Sequence, residues 1–468
     1  LGSYLGYQAQ LPLLLTEYNF NSKIDIDNYI KFIELVPATF KTYYEFEVTK
    51  AEKGYGMPDF VIDNVVTQCG NFIKAIDDNS SFMFHVVKEK INKCAFLNSE
   101  EKAFYINRNN EVIKAAMREG YAYVKDNLPS LKGKATNNQG LAHYKTEKGE
   151  KIGRDYYQIL FKDTTGYDIS CDEAISYIDS KIDQYMNNLR TLVAKIEKNS
   201  ILSKQYQEVM TTEKFMTSST PLDQLYDFSN LIGDDFPELS IKPEVVVDYI
   251  HESMQDNFSP AAYISSPIDD FDQESIFLNQ LRIDGDYNYL YTTLAHEGIP
   301  GHMYQNIYFK SQDTNIIRKV LKNSGYMEGW ATYSELYMYN FVEGLSDDVI
   351  QYMKNYDILN GVLTARLDMG IHYEGWTLEE TCEFLSKYFK GYTLETTRPI
   401  YEQLVEVPTN SQTYYYTYFK LCDMYERAEN ALGSKFSALD FHKLILDCGP
   451  VPLRFVETVV DEYIKANK

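Results

Sequence analysis

Two histidines and a glutamate crowd the stretch YTTLAHEGIPGHMYQ at 291–305: His296, Glu297 and, six residues after the first histidine, His302. A hydrolytic zinc centre uses these residue types, with imidazole nitrogens to hold the ion and a carboxylate to take a proton from water. The spacing argues against it at first sight. Residues four apart on a helix face nearly the same way, whereas residues six apart lie roughly 240° around the axis and cannot share an ion. Pro300 changes the geometry, because it offers no N–H to the carbonyl of His296 and its ring clashes with that turn. Gly301 then admits backbone angles closed to other residues. A bulge or break at 300–301 would swing His302 back toward His296. The competing reading is a helix that ends at Ile299 and two unrelated histidines.

The next helical segment, SGYMEGWATYSELYMYNF (324–341), supplies a third ligand candidate. Glu328 stands 26 residues beyond His302, near the start of an apolar, aromatic helix, and Glu335 falls seven residues later on nearly the same face. Most helical glutamates are simply solvated, but a carboxylate buried among aromatic residues needs a partner, and a metal would serve. Further on, Asp368 and His372 are four apart, so carboxylate and imidazole can meet on one helix face. They read either as an imidazole oriented to donate to a substrate oxygen, as a supporting pair behind the site, or as a structural pair near Gly375. The tyrosine run in PTNSQTYYYTYFKL (408–421) is mostly packing, with one phenol free to polarise a carbonyl.

The elements that must position these groups are mainly helical. Apolar residues recur at three- and four-residue steps over 26–53, interrupted at Pro37, and over 58–77, and a Ser170–Glu173 capping signal opens a long helix over 170–196. Further helices are expected at 243–256, 286–297, 326–344, 347–370, 377–389, 410–431, 438–447 and 452–466. AAYISSP (261–267) and SIFLNQLRI (275–283) flank a turn-like IDDFDQE and read as a β-hairpin just before the histidines. The expected fold class is mainly α (α+β): a large helical body with a small central sheet or hairpin beside the histidine helix. It forms one unit over 1–468, or two lobes at 1–240 and 241–468.

Composition narrows the partners. Forty-five basic residues against 68 acidic ones leave a net charge of −23, which repels phosphate backbones and argues against nucleic acid. No apolar run approaches the roughly 20 residues that span a bilayer. The six cysteines are scattered without a CxxC, so they form neither a disulfide framework nor a zinc knuckle. The chain begins at Leu1, which leaves room for a removed signal or lipid-anchor segment.

At four of these segments, in order, the chain resembles the bacterial domain of unknown function 885, a family related to zinc peptidases that use a glutamate ligand. HEGIPGHMYQ is similar to its HExxPGH signature, EGWATYSE to its EGWAxYxE segment, DMGIHYEGW to DxGxHxxGW, and DCGPVPLRFVE to a C-terminal GxxPLxxLE stretch. GYQAQLPLLL (6–15) resembles its N-terminal part, so the resemblance runs over essentially the whole chain. It implies that His296, His302 and Glu328 hold Zn2+, that Glu297 is the general base, and that Tyr416 donates to the oxyanion beside His372. The chain departs from the pattern at Met303, Thr417 and the spacing between Pro408 and Gln412.

The resulting expectation is a zinc metallopeptidase acting on short or extended peptides, with Glu335 and Asp368 as supporting or alternative groups. Its rivals are a metal-dependent hydrolase of a non-peptide amide and a non-catalytic peptide-binding protein. Glu297 argues against the last, since a binding module needs no general base beside a metal. The expected location is the cell envelope or beyond, with the cytoplasm as the alternative.

Overall fold

The computed structural model describes residues 1–4, 6–135, 138–146, 148–211, 215–250, 255, 259–283 and 287–468. The chain folds as two compact units. The first is built mainly from Leu1–Gln139 and Pro399–Val407. Its helices include Lys23–Glu34 and Val36–Glu52, which part at Leu35 just before Pro37, and Asp59–Asp77, which starts directly after Pro58. Proline is tolerated in a first turn, where its missing N–H has no intrahelical partner. Ile33, Phe40, Val65, Met83, Ile113 and Tyr121 fill the core between these helices.

The second unit comprises Gly140–Ile250, Ser259–Arg398 and Pro408–Lys468. The division thus falls at 139/140 rather than at the expected 240/241, because the helices before the sheet pack on those after it. α1 (Ile152–Thr165) and α2 (Cys171–Lys198) open the unit. Ser170 and Glu173 form the expected capping box on α2. α2 lies along a later helix in the same unit: Asn188 donates to Asn355 over 3.0 Å, and Arg366 meets Asp179 at 2.8 Å.

Three strands follow: β1 (Glu244–Tyr249), β2 (Ala261–Ile264) and β3 (Gln273–Leu278), in the order β1-β3-β2. The expected hairpin is present, with Tyr263 opposite Ile276, although β3 ends at Leu278 and Gln280–Ile283 turns helical. β1 corrects the helix expected over 243–256. Its run Val245–Val246–Val247 pairs in parallel with β3, and β-branched residues suit the pleated sheet better than a helix. Residues 251–254 and 256 of that expectation lie outside the described residues.

The remaining helices of interest are α3 (Tyr287–Glu297), α4 (His302–Lys310), α5 (Ile316–Val320), α6 (Ser324–Tyr337), α7 (Asp347–Met369) and α8 (Thr417–Leu432). Two π-helical turns stand among them, Gly370–Glu374 after α7 and Gln412–Tyr416 before α8. The fold is mainly α with one small sheet against α3. Among the described residues no helix is long and apolar enough to cross a membrane.

Candidate metal centre

The helix carrying His296 stops at Glu297, and a new one starts at His302. The break between them is built rather than frayed. The indole of Trp330 donates to the Pro300 carbonyl over 2.9 Å, and the Tyr304 amide reaches back to the Gly298 carbonyl over 3.0 Å. Gly301 is needed for the close approach of the two segments, since a Cβ there would fall 1.8 Å from the His296 carbonyl oxygen. The Pro-Gly pair therefore does what its chemistry suggests, and a straight helix through 296–302 is absent.

The break brings the two imidazoles together, with ring centroids 4.8 Å apart and planes nearly perpendicular. Glu328, from the second turn of α6, completes a cluster whose ligand atoms all lie within 4.8 Å of one another. Its Oε2 is 3.2 Å from His302 Nε2 and 3.6 Å from His296 Nε2. Donors placed 2.0–2.1 Å from a tetrahedral zinc ion would stand roughly 3.3 Å apart, so this nitrogen–oxygen set fits such an ion in chemistry and in spacing.

Glu335, one helical repeat beyond Glu328, holds the far side of His296, with Oε2 2.9 Å from Nδ1. In a neutral His296, the form that ligates a metal, a proton on Nδ1 facing Glu335 leaves the Nε2 lone pair toward the cluster. Burial would lower the His296 pKa, but Glu328 and Glu335 outweigh it and raise it well above the ordinary value. Burial would likewise raise the Glu328 carboxyl, yet His302 and His296 hold it well below the usual carboxylate range. The pocket thus favours positive charge at its centre.

Glu297 lies on the sheet side. Its Oε2 accepts the backbone N–H of Tyr263 on the edge strand β2 at 2.8 Å. Tyr263 is itself pinned: its hydroxyl donates to Glu274 over 2.7 Å and accepts from Asn306 over 2.7 Å. Behind it, Lys310 and Glu274 form an ion pair that is 3% and 0% exposed, with Ser266 and the Asp270 carbonyl completing the ammonium's partners. This network ties the sheet to α4, and the sequence reading missed it. Its one advance signal was the hairpin lying next to the histidines.

The structure separates the remaining expected residues from this cluster. Tyr416 is 1% exposed and packs edge-on against Phe161, Tyr167 and Tyr177, where no substrate reaches it. The phenol that meets the site is Tyr414, whose ring stacks on His296 at 5.9 Å and 13°. His372 is 1% exposed; its Nδ1 accepts the Leu141 amide at 3.1 Å, and its ring stacks on Tyr157. Its Nε2 stands 3.8 Å from Asp368 Oδ1, so the two do meet on one helix face, but inside the core.

Asp368 is the centre of that buried network. It accepts from the Tyr157 hydroxyl at 2.5 Å, from Gln412 at 3.0 Å and from the Thr409 amide at 3.0 Å. Burial raises its carboxyl above the ordinary value despite these donors. Thr409 has a φ of 66°, a left-handed conformation uncommon outside glycine, asparagine and aspartate. Asp368 therefore holds the strained entry to the π-helical turn that carries Tyr414.

Residues 2–460 match the family described as bacterial proteins of unknown function, DUF885. No functionally curated protein matches the chain. Among solved structures, a candidate lipoprotein from Colwellia psychrerythraea superposes with a TM-score of 0.83 at 18% identity, over 99% of this chain and 80% of that one. A candidate lipoprotein of unknown function from Shewanella oneidensis superposes with a TM-score of 0.60 at 16% identity, over 96% of this chain and 81% of that one. At such identities the likeness is one of fold.

Proposed function

Because the chain belongs to the DUF885 family of bacterial proteins, whose function is unknown, we propose an activity from the site itself: a zinc-dependent metallopeptidase. The observation that carries the reading is the built break at 298–301, which delivers two histidines six apart in sequence to a single carboxylate oxygen. His296, His302 and Glu328 would hold the ion, with Glu335 orienting His296. Zinc, when bound there, supplies a Lewis acid that polarises a carbonyl and makes water a neutral-pH nucleophile.

The chain's own groups do the rest. Glu297 accepts the water's proton and returns it to the leaving nitrogen, as general base and then general acid. The Tyr263 amide on Oε2 holds that carboxylate in place, and Oε1 has no partner among the described residues. Tyr414 would donate its hydroxyl to the developing oxyanion in place of Tyr416 or His372. β2 is a sheet edge beside Glu297, and an extended peptide would add to it as a further strand. The likeness to two candidate lipoproteins supports a place in the cell envelope.

Elemental analysis of purified protein should find close to one zinc per chain, and a peptide-library digest read by mass spectrometry should show zinc-dependent cleavage. Protein that takes up no transition metal when zinc is supplied would end the metal-site reading. Stoichiometric zinc without any cleaved peptide would end the peptidase reading alone.

A further inference from the structure

Asp368 is wholly buried, and among the described residues no lysine or arginine pairs with it. Its one basic neighbour in ion-pair range is His372 Nε2, 3.8 Å away, so the carboxylate rests almost entirely on neutral donors. Burying an anion in this way is costly, and an apolar side chain would fill the same space more stably. Both oxygens are used on one short segment. Oδ1 accepts the Thr409 amide at 3.0 Å, and Oδ2 accepts Gln412 Nε2 at 3.0 Å. Tyr157 of α1 donates to Oδ2 as well, at 2.5 Å, and Gln412 Nε2 also reaches the Ala365 carbonyl on α7 over 2.7 Å.

Two unusual backbone states meet at those contacts: Thr409 is left-handed, and Gln412 opens the π-helical turn. A β-branched residue resists positive φ, and a π-turn interrupts the regular helical ladder. Such states persist where their surroundings over-determine them, and they cluster at working sites. Two residues into the turn stands Tyr414, with its ring on His296. We propose that Asp368 is a positioning residue for the metal centre: by gripping Thr409 and Gln412 together it sets the turn that lays Tyr414 on His296. It governs turnover through that tyrosine without touching substrate or ion. The turnover half rests on the metallopeptidase reading; the placement of Tyr414 does not.

Asp368→Asn tests this, because both carboxylate oxygens accept hydrogen bonds and an amide offers one acceptor, so its NH2 must face a donor. With seven histidines in the chain, carbon-13 histidine NMR of the metal-free protein can follow His296, whose ring signal is the one that Tyr414→Ala moves most. Asp368→Asn should move that signal the same way. So should Gln412→Met, which keeps the carboxylate, removes its hold on the turn, and serves should Asp368→Asn fail to fold. An unmoved His296 signal in a folded variant overturns the proposal, whether or not any peptide is cleaved. In the zinc-loaded protein, with a fluorogenic peptide drawn from the library digest, Tyr414→Phe should lower kcat by about 10²- to 10³-fold. Asp368→Asn should lower kcat by no more than that, with KM and zinc affinity kept. Added to Tyr414→Phe it should lower kcat no further; an additional loss of about tenfold would mean that Asp368 acts by another route, and also overturns the proposal. Undiminished cleavage by Tyr414→Phe would instead end the oxyanion role given to Tyr414, and with it the turnover half.

Discussion

The backbone N–H of Tyr263 sits 2.8 Å from Glu297 Oε2, so an edge strand holds the carboxylate that immediately follows the first candidate ligand. A glutamine at 297 keeps an oxygen to accept that bond but loses the ability to take a proton. Glu297→Gln should therefore retain zinc and thermal stability while turnover falls by about 10²- to 10⁴-fold. Parallel metal analysis and peptide cleavage check this, and undiminished cleavage would remove Glu297 as the base.

Glu328 and Glu335 both touch His296, but on opposite ring nitrogens. Loss of an orienting carboxylate typically costs about 10- to 100-fold in metal affinity, and loss of a ligand costs more. Chelator competition should thus rank Glu328→Ala below Glu335→Gln, and both below wild type. The opposite order would make Glu335 the ligand.

Lys310 and Glu274 are both buried, and removing one partner strands the other charge away from water. Lys310→Met should lower unfolding stability by about 3–5 kcal/mol in denaturant titration. A loss below ~1 kcal/mol, the scale of an exposed pair, would show that water reaches the pair in solution.

His442 is wholly buried, stacked on Phe236, with Nδ1 donating to the Asp235 carbonyl and Nε2 accepting from Tyr333. Burial pulls its pKa down to about 4. The unfolded chain, with an ordinary histidine near 6.5, binds the proton first as pH falls. Stability is therefore full above pH ~6.5 and erodes toward pH ~4, by about 3 kcal/mol in all. Thermal melts across that window should show the slope in wild type and a flatter one in His442→Gln; identical slopes would exclude His442 as its source.

The parts of this site that were legible in sequence are those whose residue types carry a backbone meaning. Pro300 removes the hydrogen bond back to His296 and Gly301 admits a close backbone approach, so the break and the meeting of His296 with His302 could be argued in advance. Tyr416 was chosen by its likeness to a motif, and a motif does not record that this turn packs Tyr416 against Phe161 while the Tyr414 ring lies on His296. The Lys310–Glu274 pair joins positions 36 apart with no local mark of partnership. β1 was misread for a related reason: its valines favour a strand, but the parallel partner that completes it lies 29 positions away, Gln273 for Glu244.

Gly329 adjoins Glu328, and a Cβ there would come within 2.5 Å of the Thr417 hydroxyl oxygen. On α7, Gly361 likewise leaves room for the Tyr415 ring, which a Cβ would meet at 1.7 Å. The ligand helix and the tyrosine-bearing turn are thus keyed into their neighbours by two missing side chains, and neither can slide without the other. That face of the site behaves as an anvil. The opposite jaw is held differently, by hydrogen bonds and one buried ion pair: the Tyr263 amide on Glu297, and Tyr263, Glu274, Asn306 and Lys310 between the sheet and α4.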